Sequence, residues 1–305
     1  MGVAASTARA ATLPPSFERF PIWPGDAPGG ERVTAVEQEI QRSATSPVDD
    51  TAYIHLRRPT LTMLRPQRRN GAALLLVPGG GYRRVAIGHE GYAIARRFAA
   101  VGYTCFILLY RLPGDGWAAG PDAPLQDAQR AIRLVRARAR GEGYDANRIG
   151  VIGFSAGGHL GARLATQPGL ATYAPVDAID RLDARPNVAA LLYPVISLEP
   201  GLAHAGSRDE LLGANQTPER LRAYSADHMV TAATPPTFVA QAIDDRTVPV
   251  ANSLAISAGL RGEGVPTELH LFETGGHGFG LTLPDGSASP WPDLYLAWAR
   301  RHGMP

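Results

Sequence analysis

Ser155 stands in Gly153-Phe154-Ser155-Ala156-Gly157, between an apolar, β-branched run (Ile149 to Phe154) and a helix-compatible run (His159 to Ala165). A sharp strand-to-helix turn of this kind lifts a serine hydroxyl clear of the backbone, and only small flanking residues avoid a clash. Gly153, Ala156 and Gly157 are such residues, and a helix N-terminus beneath the hydroxyl favours developing negative charge. A serine becomes a nucleophile with a base beside it, a carboxylate to orient that base, and N–H donors for the oxyanion. His277 lies in Gly275-Gly276-His277-Gly278, a loop that lets its imidazole project, and Asp244-Asp245 close an apolar run before it. The chain order serine, acid, histidine is the one expected after such an elbow. Pro78-Gly79-Gly80-Gly81-Tyr82 follows another apolar run, and its glycines allow backbone N–H groups to converge on a substrate oxygen. It has neither the spacing nor the Lys-Ser/Thr ending of a phosphate loop. The other histidines (His55, His89, His159, His204, His228, His270, His302) lack this combination, and His159 reads as a packing residue on the helix after the turn. The chemistry implied is acyl transfer through a covalent acyl-serine.

The elements that must position these residues follow a βα rhythm. Apolar strands are expected at 72–78, 103–110, 149–154, 188–195, 237–243 and 268–272, with helices at 92–101, 126–140, 252–261 and 293–301. Continuous apolar strands alternating with helices predict a mainly parallel sheet covered on both faces. Before it, 53–64 suits an antiparallel hairpin around Arg57-Arg58-Pro59, and the Pro/Gly-rich 16–32 suits an extended segment. In 126–140, Ile132 and Val135 mark a packed face, and the arginines read as a solvated one. A polar insertion at about 199–232 would sit over the strand ends as a cap. The division expected is a flexible leader over 1–19 and a single domain over 20–305.

The chain has 305 residues, 45% apolar and 19% charged, with a net charge of +2. That near-neutral balance excludes nucleic acid and an anionic membrane surface as partners, and no apolar run approaches a membrane span. It holds no lysine and a single cysteine, Cys105, in a strand-like run. No metal-ligand spacing and no cofactor motif is present. Oligomeric state stays open. Ala8-Arg9-Ala10-Ala11 has the small-x-small look of an export cleavage site, which favours a periplasmic or secreted protein over a cytosolic one.

With these residues in hand, the chain resembles the serine α/β-hydrolases of the acetylxylan-esterase and feruloyl-esterase-like group, relatives of the dienelactone hydrolases. The resemblance runs from about Phe20 onward. It includes Ile22-Trp23-Pro24-Gly25, the Pro78 to Tyr82 turn, Gly88-His89-Glu90-Gly91, Tyr110-Arg111-Leu112-Pro113, Gln126 to Ala131, Gly153 to Leu160, Asp244-Asp245 with Val248-Pro249, and Gly275 to Gly278. Dienelactone hydrolases carry cysteine where Ser155 stands, so their lactone chemistry is not implied. The resemblance implies an α/β-hydrolase fold and hydrolysis of short acyl esters, foremost acetyl groups on plant cell-wall xylan or xylo-oligosaccharides. A feruloyl or general short-chain carboxylesterase is the alternative. It assigns Ser155 as nucleophile, His277 as base and Asp245 as acid, since the related acid stands four residues before the proline matching Pro249. By analogy with lipases, whose glycine turn begins with His where Pro78 stands here, the oxyanion donors are the N–H groups of Gly80, Gly81 and Ala156. Tyr82, Glu90 and Tyr110 are expected to contact substrate or support the pocket. A peptidase would need an extra propeller domain, and a non-catalytic binding module would not need the intact serine, acid and histidine.

Overall fold

The computed structural model describes residues 17–46 and 49–305. The leader pattern at residues 8–11 lies outside them, and residues 17–19 of the expected leader already belong to a strand. The chain runs through β1 (Phe17–Pro21), β2 (Gln38–Gln41), β3 (Thr51–Ile54), β4 (Thr60–Leu64) and β5 (Ala73–Val77). Then follow α1 (Ala93–Ala99), β6 (Thr104–Leu109), α2 (Ala123–Glu142), β7 (Ile149–Phe154), α3 (Ala156–Thr166) and β8 (Val188–Leu192). Next come α4 (Ala205–Leu212), α5 (Pro218–Ala223), β9 (Thr237–Ala242), α6 (Ala251–Gly262), β10 (Thr267–Phe272) and α7 (Trp291–Arg301).

Eight strands form one sheet in the order β1-β4-β6-β5-β7-β8-β9-β10. From β6 to β10 the pairings are parallel, and β1 and β4 join antiparallel at one edge. Every residue of β5, β6, β7, β8 and β9 is buried, Cys105 among them, because helices cover both faces. Edge strand β10 is mostly half-buried. The strand order reverses around β5 and β7, and at such a switch point the carboxyl ends of the strands frame a crevice.

Two expectations are corrected. β3 and β4 form no hairpin: β3 pairs with β2 in a separate small sheet, and β4 lies between β1 and β6. β4 is an inner strand paired along both edges, and Leu61 to Leu64 are all buried. The arginines of α2 are not simply solvated. Arg130 is 2% exposed, bridges to Asp177 and Asp180, and donates to the Ile22 carbonyl at 2.9 Å. Arg133 donates to Leu182 O, and Arg136 to the carbonyls of Ala146 and Arg185, so residues 172–185 fold against this helix.

The segment after β1 is anchored in the same place. Trp23 is buried and donates from Nε1 to Asp127 at 2.8 Å. Asp127 also pairs with the fully buried Arg111 at 2.9 Å, and Arg111 lies over the rings of Trp23 and Trp117. Removing one partner of such a pair leaves an uncompensated buried charge, at a cost of about 3–5 kcal/mol.

Candidate active site

Strand β7 runs straight into α3, and Ser155 takes the whole turn with φ 52° and ψ −119°, a strained backbone for a residue with a Cβ. The chain closes tightly around it. A Cβ on Gly157 would lie 2.1 Å from the Val77 carbonyl oxygen, and one on Gly153 would lie 2.4 Å from that of Gly157. The Ser155 N–H donates to Leu192 O, and its carbonyl accepts from Val195 and His159. The turn is thus held from β8 as well as from its own helix.

Ser155 Oγ lies 2.8 Å from His277 Nε2, and His277 Nδ1 lies 2.8 Å from Asp245 Oδ2. The Asp245 side chain is fully buried yet well supplied with donors. Oδ1 accepts from the N–H groups of Thr247 and Val248, each at 2.9 Å, and Oδ2 also accepts from Gln241 at 3.1 Å. Burial alone would raise this carboxyl. Donation from His277, with that of Val248 and Thr247, outweighs burial and holds it below the usual carboxylate range. A carboxylate at Asp245 requires Nδ1 of His277 to carry a proton, which leaves Nε2 as the acceptor facing Ser155. The neighbouring Asp244 accepts from Gly276 N–H at 2.8 Å and so pins the loop that carries His277. His89 pins it from the other side, donating from Nε2 to Gly278 O at 2.9 Å.

Pro78 to Tyr82 crosses in front of the serine. Among the described residues, no acceptor meets the N–H of Gly80, Gly81 or Ala156. Gly79 N–H donates to Glu90 Oε2 at 2.6 Å, and the Tyr110 hydroxyl donates to Pro78 O at 2.8 Å. Glu90 also accepts from the Tyr193 hydroxyl at 3.0 Å, and the Tyr193 ring lies edge-on to His277. Glu90 therefore ties the glycine turn to the histidine side of the site and also reaches the cleft wall. Tyr82 and Tyr110 do not line the cleft. Both are buried, and the Tyr82 hydroxyl donates to His159 Nδ1 at 2.7 Å beneath α3.

His159 is wholly buried, with Nε2–H donating to Tyr224 O at 2.7 Å. Burial, and then the Arg163 charge, push its pKa down to about 3. The unfolded chain binds this proton near pH 6.5 and the folded one near 3, so the stability it contributes is full above about 6.5 and falls as pH drops toward 3. His159→Gln keeps a donor and an acceptor but does not titrate. The stability difference between wild type and variant is therefore expected to shrink by about 1.4 kcal/mol per pH unit on acidification below about 6.5. Urea unfolding of both proteins at several pH values measures it. A constant difference would show that His159 is not held neutral.

Ser155, His277, Gly80, Gly81 and Glu90 open onto a cleft of about 380 Å³. Further lining residues were not singled out in the sequence: Arg42, Arg83, Arg84, His204 and Glu210. Arg83 and Arg84 follow the glycine turn directly, which is the one signal that could have found them. His204 caps α4, its Nδ1 accepting from Ser207 N–H at 3.2 Å, and it reaches the cleft from the 199–232 insertion. Nothing in its local sequence marks it.

The profile of the family described as BD-FAE matches residues 63–260, a span that holds the glycine turn, Ser155 and Asp245. The chain belongs to the BD-FAE family. Within its similarities, it is 34% identical to an acetylxylan esterase of Xylanibacter ruminicola over 71% of this chain and 42% of that protein. It is 35% identical to endo-1,4-beta-xylanase B of Butyrivibrio fibrisolvens over 67% of this chain and 32% of that one. The chain therefore spans less than half the length of these curated relatives. Among solved structures, the acetyl ester-xyloside bifunctional hydrolase of Caldicellulosiruptor lactoaceticus aligns with a TM-score of 0.74 at 35% identity, covering 94% of this chain and 97% of that one. The carboxylesterase Cest-2923 of Lactobacillus plantarum aligns with a TM-score of 0.67 at 27% identity, covering 88% and 98%. The fold is the α/β-hydrolase fold, and the matched region is a domain of the carboxylic ester hydrolase kind.

Proposed function

We propose that this BD-FAE member is a serine acetylesterase acting on acetylated carbohydrate, with xylan or xylo-oligosaccharides as the alcohol part. Ser155 Oγ attacks the acetyl carbonyl carbon as His277 Nε2 takes its proton. The tetrahedral oxyanion accepts from the N–H groups of Gly80, Gly81 and Ala156. Collapse expels the sugar hydroxyl, which receives the proton from His277, and leaves acetyl on Ser155. Water then attacks, giving its proton to His277, and acetate leaves as Oγ recovers the proton. Asp245 keeps the imidazole in the required tautomer and stabilises its charged form.

The observation that carries this reading is the unbroken line Ser155–His277–Asp245, at 2.8 Å for each step, together with three N–H groups, of Gly80, Gly81 and Ala156, that lack an acceptor among the described residues. The cleft of about 380 Å³ suits a small acyl group, and the named relatives include an acetylxylan esterase. The insertion at about 199–232 acts here as a cap, supplying His204 and Glu210 to the cleft wall. A general short-chain carboxylesterase is the second reading, favoured by the likeness to Cest-2923.

Acetate release from acetylated xylo-oligosaccharides, measured beside p-nitrophenyl acetate and methyl ferulate, tests the reading. Acetate release is expected, with kcat/KM on the acetylated sugar at least matching that on p-nitrophenyl acetate. Turnover of p-nitrophenyl acetate alone would leave the general esterase, and failure on every ester would remove both.

A further inference from the structure

The cleft carries more positive charge than acyl transfer uses. Arg42, Arg83 and Arg84 line it beside the Gly80–Gly81 turn and Ser155. Of the three, only Arg42 meets a carboxylate among the described residues, donating from Nε to Asp50 at 2.7 Å. Among the described residues, the side chains of Arg83 and Arg84 meet no acceptor at all, although Glu90 and Glu210 share the same cleft. Glu90 is committed to Gly79 N–H and the Tyr193 hydroxyl. The Nε of Arg84 is enclosed without a partner, which is a costly state for a charged donor. Burial, followed by the charges of Arg42 and Arg83, pushes the Arg84 pKa down, so the three guanidiniums are near enough to repel one another.

Two of the three are fixed relative to the oxyanion donors. The N–H groups of Arg83 and Arg84 donate to Gly80 O at 3.3 and 3.2 Å. The Arg84 stem packs against the same glycine, where an added Cβ would lie 2.9 Å from Arg84 Cγ. A guanidinium so placed can hold an anion at a set distance from the reacting carbonyl, and its planar fork suits a carboxylate.

Building on the proposed esterase reading, we propose that Arg83 and Arg84 bind a carboxylate carried by the substrate, so that the preferred esters are acidic. An acetyl group has no second functional group, which puts the carboxylate on the alcohol part: an acetylated oligosaccharide bearing a uronic acid. Arg42 is paired with Asp50, which leaves Arg83 and Arg84 as the cations for the substrate.

The test compares kcat/KM for acetylated xylo-oligosaccharides with and without a glucuronic acid side group, in wild type and in Arg83→Gln/Arg84→Gln. Wild type is expected to favour the acidic ester about tenfold, the scale of a hydrogen bond to a charged group. The preference should reside in KM, shrink with added salt, and fall to about parity in the double variant. Circular dichroism and reaction with a fluorophosphonate would show that the variant remains folded with a reactive serine. Equal rates on both esters in wild type, with p-nitrophenyl acetate still turned over, would overturn the carboxylate site and leave the esterase standing. No turnover of p-nitrophenyl acetate by wild type would instead remove the reading on which the site rests. A preference for p-nitrophenyl hemisuccinate over the acetate, lost in the double variant, would overturn the assignment to the alcohol part.

Discussion

Ser155→Ala is expected to lower kcat on p-nitrophenyl acetate by about 10⁴- to 10⁶-fold. Without Oγ no acyl-enzyme forms, and the remaining donors can only assist direct attack by water. The substitution leaves the turn intact: Ser155 is held through its backbone N–H and carbonyl, and among the described residues its hydroxyl hydrogen-bonds to His277 alone. The melting temperature of the variant should therefore stay within a few degrees of wild type, which separates a lost nucleophile from a lost fold. Wild type should also be labelled stoichiometrically by a fluorophosphonate, and the alanine variant should not. Retention of more than about one part in a hundred of the activity would mean that another group carries the acyl transfer.

The second large effect separates two adjacent aspartates. Asp245→Asn is expected to cost about 10⁴-fold in kcat, whereas Asp244→Asn should cost less than about tenfold. In the first variant the amide oxygen would be claimed by the N–H groups of Thr247 and Val248, both of which now point at Oδ1. The amide NH₂ would then face Gln241 and His277 Nδ1, where Oδ2 now accepts. It forces Nδ1 to accept, moves the imidazole proton to Nε2, and leaves Ser155 facing a donor that cannot take its proton. In the second variant the amide oxygen can still accept from Gly276 N–H, the one hydrogen bond that the Asp244 side chain makes among the described residues. Steady-state kinetics of both purified variants decide between them, and comparable losses would dissolve the distinction.

What could be read from sequence follows from how strongly each residue's neighbours are implied by local pattern. Strands β5 to β9 are buried on both faces, so they appear as continuous apolar runs that no surface segment imitates. The glycines around Ser155 were legible because the turn admits almost nothing larger, as the 2.1 Å approach to Val77 shows. The pairing of β3 and β4 was not legible: both runs are short, and their true partners lie elsewhere in the sheets. Arg130 resembles any surface arginine until residues 177–180 fold back to supply its carboxylates. The cleft walls show the same limit. Ser155, Asp245 and His277 announce themselves through their glycine and strand-end settings, while His204 and Arg42 come from segments with no comparable signature. Tyr82 and Tyr110 lie next to the site in sequence, yet they support the turn from beneath instead of facing the cleft.

The anchoring of the segment after β1 bears on the order in which this protein can assemble as it is synthesised. Trp23 meets Asp127 across 104 residues, and Ile22 meets Arg130 across 108. Strand β1 finds its partner β4 early, but the Trp23 ring and the Ile22 carbonyl must wait for these partners until α2 has left the ribosome. The site waits longer, since Ser155 and His277 are 122 residues apart. Contacts of such separation close late and leave earlier intermediates exposed to aggregation. Translation stalled between β9 and β10 would yield a chain with its N-terminal segment docked and its sheet built but for one edge strand, and with Ser155 still lacking its base.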